Sequence, residues 1–165
     1  MSSRNDDLIK KDRLRFTKNV LSSNLTLLAI VFNALYFVSI YKSDVGSYYY
    51  TWMIGISVVY NLLFMLAAFL SSEGVKAYKL GYSFVLLGLG AGQIIRILII
   101  PAKAHGTTIS MNGEEIATMG DSQFMWVCVC LIASAALCII AGLISFAKTR
   151  TLTSYLAELS ERTGG

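Results

Sequence analysis

Few residues in this chain could do chemistry, and Arg96 stands out among them. It lies inside residues 81–100, an apolar run long enough to cross a bilayer. A guanidinium at bilayer depth costs about 2.5–3.5 kcal/mol on insertion scales, so it calls for a partner, a wet cavity or a task. Gln93 precedes it by three residues and shares an edge of its helical face. Counting about 1.5 Å per residue from the ends of the apolar runs places Asn33, Asn61, Gln93 and Ser134 near mid-bilayer. Arg96 falls about one turn further out, and Tyr36 lies one turn outward of Asn33. Amide carbonyls can accept hydrogen bonds from a guanidinium. The candidate ligand-binding set is therefore Arg96, Gln93, Asn61, Asn33, Ser134 and Tyr36.

Three roles compete for that set. The first is a structural layer of interhelical hydrogen bonds, each worth about 0.6 kcal/mol in a membrane but together able to fix helix register. In the second, Arg96 holds an anionic group, a carboxylate or a lipid phosphate, in an outward-opening cavity. In the third, Arg96 snorkels to the outer interface.

Other reactive arrangements do not emerge. Cys128 and Cys130 point about 200° apart on a helix and there is no C-x-x-C, so Cys128, Cys130 and Cys138 read as small buried apolar residues. His105 stands in a loop near Lys103 with no second ligand, and no metal site is expected. No Asp or Glu falls inside an apolar run, which argues against proton-coupled transport. With no phosphate loop, Ser-His-Asp set or paired acid, neither an enzyme nor a cofactor is expected.

The elements that must position these residues are transmembrane helices. Hydrophobic residues make up 55% of the chain and charged residues 15%, against about 25% charged in soluble domains. The apolar residues fall into four blocks, about 20–41, 48–70, 80–100 (stopped by Pro101) and 124–147, each near the length of one crossing. The whole chain, 1–165, reads as a single four-span membrane domain. Residues 1–19 form a cytoplasmic, amphipathic, basic segment. Residues 148–165 form a cytoplasmic tail that either extends the fourth span or lies along the membrane. The first apolar run reads as an uncleaved anchor.

Orientation follows from the flanking charges. Arg4, Lys10, Lys11, Arg13, Arg15 and Lys18 precede the first span, Lys76 and Lys79 separate the second from the third, and Lys148, Arg150 and Arg162 follow the fourth. The opposite loops hold only Lys42 and Lys103. The positive-inside rule puts both termini in the cytoplasm, with cell membrane as the expected location. Tyr48, Tyr49, Tyr50, Trp52 and Trp126 mark the outer interface. The net charge of +4 then reflects topology and contact of the N-terminal segment with anionic lipid, and nucleic acid is not an expected partner. In the last outer loop, Asn112-Gly113 between two β-prone stretches predicts a small β-hairpin with a type I′ turn.

Helical phase assigns each span an inward stripe of small or polar residues. These are Thr26, Ala29 and Asn33; Ser57, Asn61, Ala68 and Ser72; Gly81, Gly88, Gly92 and Arg96; and Cys130, Ser134, Cys138, Ala141 and Ser145. The expected fold is an all-α integral membrane protein: a four-helix transmembrane bundle, both ends inside, with an outer β-hairpin between spans three and four. The expected function is that of a non-enzymatic accessory or scaffold subunit acting through helix packing, in a homo- or hetero-oligomer. The alternative is binding or transport of a small anionic ligand or lipid through a cavity at Arg96.

Overall fold

The computed structural model describes residues 2–41, 53–111 and 114–163. Four of its helices are long and apolar enough to cross a membrane, as in a multi-pass membrane protein. They are α2 (Val20–Tyr41), α3 (Met53–Lys76), α4 (Leu80–Ile99) and α6 (Asp121–Thr163). α1 (Ser2–Phe16) precedes them, and the five-residue α5 (Pro101–His105) follows α4. Tyr48, Tyr49, Tyr50 and Trp52 of the expected aromatic belt, together with Lys42, lie outside the described residues.

Two of these helices run past the apolar runs read from the sequence. α3 continues through Ser71-Ser72-Glu73 to Lys76, where Lys76 pairs with Glu73 one turn earlier. α6 takes in the tail as far as Thr163, 43 residues in one helix, so the tail extends the fourth span. Pro101 does not end the helical path. It occupies the first turn of α5, where its missing N–H costs nothing, and the backbone N–H of Ala104 bonds to the carbonyl of Ile100 at 3.0 Å.

The long helices form a closed ring in the order α2, α3, α4, α6, with α6 packed most extensively, against both α2 and α4. The α3–α4 seam is the loosest in the ring. The turn joining those two helices ends α3 with Tyr78 at φ 53°, a left-handed conformation that lets Lys79 N–H reach the Gly74 carbonyl and Tyr78 N–H reach that of Val75. Beyond α5, β1 (Thr108–Met111) and β2 (Glu114–Ala117) pair antiparallel, with Thr108 opposite Ala117 and Met111 opposite Glu114. Residues 112 and 113, and with them the expected type I′ turn, lie outside the described residues.

The interior is layered along the bundle. At the end nearest the strands, Tyr36, Ile40, Ala104, Met119, Val127, Cys130 and Leu131 pack together. Ala29, Phe64, Ala68 and Cys138 form a second cluster, and Val75, Leu86 and Ala141 a third towards the tail. The outer surface is apolar as well, with Val31, Leu62, Leu66, Ile94 and Leu98 among many exposed side chains. An apolar exterior over polar seams is the pattern lipid selects.

The stripes expected on α2, α3 and α6 are buried: Thr26, Ala29 and Asn33; Ser57, Asn61, Ala68 and Ser72; Cys130, Ser134, Cys138, Ala141 and Ser145. The glycine stripe on α4 is corrected. The buried face of that helix is Ser83, Leu86, Gly90, Gln93 and Arg96, while Gly81 and Gly88 point away from the bundle with nothing within 4 Å of where a Cβ would stand. Gly90 allows α4 to approach α6 closely. A Cβ there would lie 2.6 Å from Cγ1 of Ile139 and 3.1 Å from the backbone oxygen of Ala135.

A paired substitution tests this phase. Gly90→Val should destabilise the folded protein by about 1–3 kcal/mol through overpacking, whereas Gly88→Val should change it by less than about 1 kcal/mol. Thermal unfolding in a mild detergent distinguishes the two; equal losses would contradict the phase.

Candidate functional site

Between the first and second apolar clusters lies a polar layer to which all four long helices contribute. Asn33 on α2 is its hub. Its Nδ2 donates to Oδ1 of Asn61 on α3 at 2.8 Å, and its Oδ1 accepts from Gln93 Nε2 on α4 at 2.9 Å and from Arg96 Nη1 at 3.2 Å. Arg96 Nη1 also reaches Asn61 Oδ1 at 3.4 Å. Ser134 on α6 accepts from Gln93 Nε2 at 3.4 Å and donates to the backbone oxygen of Ala29 at 2.9 Å. That last bond fastens α6 to α2. Asn61 Nδ2 in turn faces the sulfur of Met65 at 3.6 Å.

Arg96 is 4% exposed, and Asn33 and Gln93 are fully enclosed. The guanidinium lies between two aromatic rings, its Cζ 4.3 Å from the Tyr36 centroid and 4.9 Å from that of Tyr60. Away from water such cation–π contacts are worth about 2 kcal/mol each. Two amide oxygens and two ring faces therefore surround the charge, which a planar, weakly hydrated guanidinium suits better than an ammonium.

The residues named from the sequence thus converge: Arg96, Gln93, Asn61, Asn33 and Ser134 form one connected network, and Tyr36 joins it through its ring face. Tyr60 was missed. Next to Asn61 in sequence, it sits about 100° around the helix from the buried stripe, a phase that points it towards lipid. Its ring instead leans across to α4, where a Cβ on residue 92 would meet its hydroxyl at 2.7 Å, so Gly92 leaves room for it. The signal for this contact was the glycine opposite, which was read as part of an inward stripe.

Beside this network, the α3–α4 seam opens into a cleft of about 290 Å³ lined by Ile56, Ser57, Tyr60, Gly92, Ile95, Arg96, Ile99 and Ile100. Among the described residues that line it, Arg96 is the one that is charged. Nearer the strands, His105 Nε2 lies 2.8 Å from Asp121 Oδ1 and its ring stacks on Phe124 at 4.4 Å, tying α5 to the start of α6. Among the described residues no three His, Cys, Asp or Glu side chains cluster as metal ligands would. Cys130 and Cys138 are buried and Cys128 is half-buried, all as thiols.

Comparison with models of protein families, with curated proteins and with solved structures found no match.

The hub is testable by a double-mutant cycle. Asn33→Ala and Gln93→Ala should show a coupling of about 0.6–1.7 kcal/mol in detergent unfolding, the range for interhelical hydrogen bonds in membranes. Thr151→Ala, which removes an exposed bond on the tail to the carbonyl of Ala147, should couple to neither. A coupling of zero between Asn33 and Gln93 would remove the network as a structural element.

Proposed function

We propose that this chain is a non-enzymatic integral membrane protein that serves as an accessory or scaffold subunit, binding a partner helix through its lipid-facing surface. One observation carries the reading. Gly81 and Gly88, seven residues apart on α4, stand on the outer face with open space around them. Small residues on one helix face let a second helix approach closely, and in lipid close packing rather than hydrophobicity drives helix association. Asn33, Asn61, Gln93, Arg96 and Ser134 bond to one another across the four helices, which supports a framework role for them. The partner is a second copy of this chain or the transmembrane helix of another protein.

The charge distribution supports an orientation with both termini in the cytoplasm of a cell-membrane protein. In that orientation the strand pair β1–β2 forms an outer hairpin, and Trp126, half exposed on α6, lies at the outer interface. α1 then lies against the inner leaflet, where Ile9 and Phe16, both largely exposed, meet lipid and Lys10, Lys11, Arg13 and Arg15 meet anionic headgroups. Nucleic acid has no part in this reading.

Two measurements test these proposals. For orientation, Lys103→Cys should react with a membrane-impermeant maleimide in intact cells, and Ser160→Cys only after permeabilisation; the reverse pattern inverts the topology. For partner binding, wild-type protein crosslinked in native membranes should yield a discrete adduct, and Gly88→Leu should lose it while unfolding at an unchanged temperature. A protein that is monomeric in mild detergent and yields no adduct in membranes would sink the scaffold reading.

A further inference from the structure

We propose that α1 is a strap that senses membrane charge: it docks along the projecting part of α6 and swings from there onto an anionic bilayer surface, which Ile9 and Phe16 enter. The docked position is the one in the structure, and two contacts set its direction. Lys148 Nζ of α6 donates to Asn19 Oδ1 at 3.2 Å. Seven residues further along α6, the Tyr155 hydroxyl donates at 3.4 Å to Oδ1 of Asp12, which lies seven residues before Asn19. α1 therefore runs antiparallel to α6 and away from the bundle. The inner-leaflet placement proposed for α1 is then its second position, so the inference rests on that reading and deepens it.

Docked on α6, the helix leaves its apolar face in water. Ile9 and Phe16 are seven residues apart and share one side of α1, yet they are 65% and 80% exposed. A helix lying along α6 carries Ile9 about 10 Å further from the bilayer than Phe16. What α1 turns to α6 includes Asp12, a carboxylate that also faces Arg15 at 3.6 Å. Residues 9–18 hold Lys10, Lys11, Arg13, Arg15 and Lys18 against that one acid. An apolar stripe edged by basic residues complements an anionic lipid surface. Its apolar side chains enter the boundary of the acyl chains while the basic ones meet headgroups.

A pivot separates the strap from the bundle. Thr17, Lys18 and Asn19 are not helical, and Thr17 Oγ1 donates to the carbonyl of Arg13, which closes α1 as a unit. Asn19 is buried and held in place, its N–H on the Lys76 carbonyl and its Nδ2 on Ser22 Oγ at 2.8 Å. Rotation about residues 17 and 18 thus moves α1 without disturbing the spans. The two positions exclude one another, because a helix flat on the bilayer leaves Tyr155. Membrane charge sets the balance between them. Each basic residue brought to an anionic surface adds attraction, whereas Asp12 is repelled there and is better placed on the Tyr155 hydroxyl. Neutral lipid leaves α1 on α6, and anionic lipid draws it down.

The test uses the full chain in phosphatidylcholine nanodiscs containing increasing phosphatidylserine. An environment-sensitive fluorophore is carried on Ile9→Cys, the signal of equally treated wild-type protein is subtracted, and a nitroxide lipid quenches any label that enters the bilayer. In phosphatidylcholine alone the label should sit in water and escape quenching. Phosphatidylserine should shift its emission to the blue and quench it, and high salt should reverse both. Lys10→Gln, Lys11→Gln, Arg13→Gln and Arg15→Gln together should lower the ratio of quenched to unquenched label by about tenfold or more. Tyr155→Phe, which removes the docking bond, should raise that ratio by about threefold at a fixed phosphatidylserine content, and it carries the test if the fourfold variant fails to fold. Inorganic phosphate added to phosphatidylcholine nanodiscs should change nothing. A label quenched equally in both lipids, one that phosphatidylserine never moves, a response that survives loss of the four basic residues, or an unchanged ratio in Tyr155→Phe would each overturn the strap. A response to inorganic phosphate would overturn the assignment to a membrane surface. Both leaflets of a nanodisc carry phosphatidylserine, so reversed maleimide labelling in cells would overturn the orientation alone and leave the strap standing.

Discussion

A single buried guanidinium organises this bundle. Placed in a low-dielectric interior, a charge interacts strongly with every dipole near it, and the cost of leaving it poorly solvated is large. The carbonyl dipoles of Asn33 and Asn61 and the faces of Tyr36 and Tyr60 take the place of water around Arg96. Those groups come from α2 and α3, and Arg96 itself from α4. Register among three helices is thereby fixed, because sliding any one of them by a turn would separate the charge from its dipoles. Gln93 and Ser134 carry the same constraint to α6.

The layers on either side depend on that register. Tyr36 belongs both to the polar layer and to the apolar cluster nearest the strands, so the position of its ring is set by the guanidinium on one side and by Ile40, Val127 and Leu131 on the other. Towards the tail, smaller polar pairs repeat the pattern. Ser83 donates to Ser145 at 2.9 Å between α4 and α6, and Lys148 reaches Asn19 Oδ1 at 3.2 Å while the Asn19 N–H holds the Lys76 carbonyl. Nearer the strands Gln123 Nε2 donates to the Ser39 carbonyl at 3.3 Å, so polar contacts link the helices at several depths, with apolar clusters between them. Packing is tightest around α6, and the α3–α4 seam, which has the fewest contacts, is where the cleft opens.

Much of this arrangement was legible in the sequence because two signals there are physically direct. Apolar block length reports bilayer thickness, and α2 starts with its apolar run and is helical throughout it. Helical phase reports which residues can meet, and rise per residue reports their depth; the count put Asn33, Asn61, Gln93 and Ser134 at one level and Arg96 about one turn further out. Other features were harder to read. Hydropathy marks where lipid ends, not where hydrogen bonding ends, so α3 and α6 outrun their apolar runs through Ser, Glu, Lys and Thr residues that helices accept. Glycine is ambiguous in a membrane helix, since the absence of a side chain suits a packed interior and an outward face equally. The spacing of Gly81, Gly88 and Gly92 could not tell these apart, and Gly90, outside that spacing, is the one against which Ile139 packs. Tyr60 was invisible for a related reason, because its ring crosses to a neighbouring helix by side-chain length, which phase does not encode.

The 43-residue α6 gives the molecule mechanical reach. At 1.5 Å per residue it is about 65 Å long, roughly twice the thickness of the hydrocarbon core. About 35 Å of it therefore projects beyond the lipid tails. A rod of that length is a lever: a change of about 10° in its tilt, well inside the range of transmembrane helices, swings its far end by roughly 6 Å. α1 packs against this projecting part, with the Tyr155 hydroxyl 3.4 Å from Asp12 Oδ1. Any shift in bilayer thickness that tilts the bundle is thus magnified along the projecting part of α6 and in the α1 packed against it.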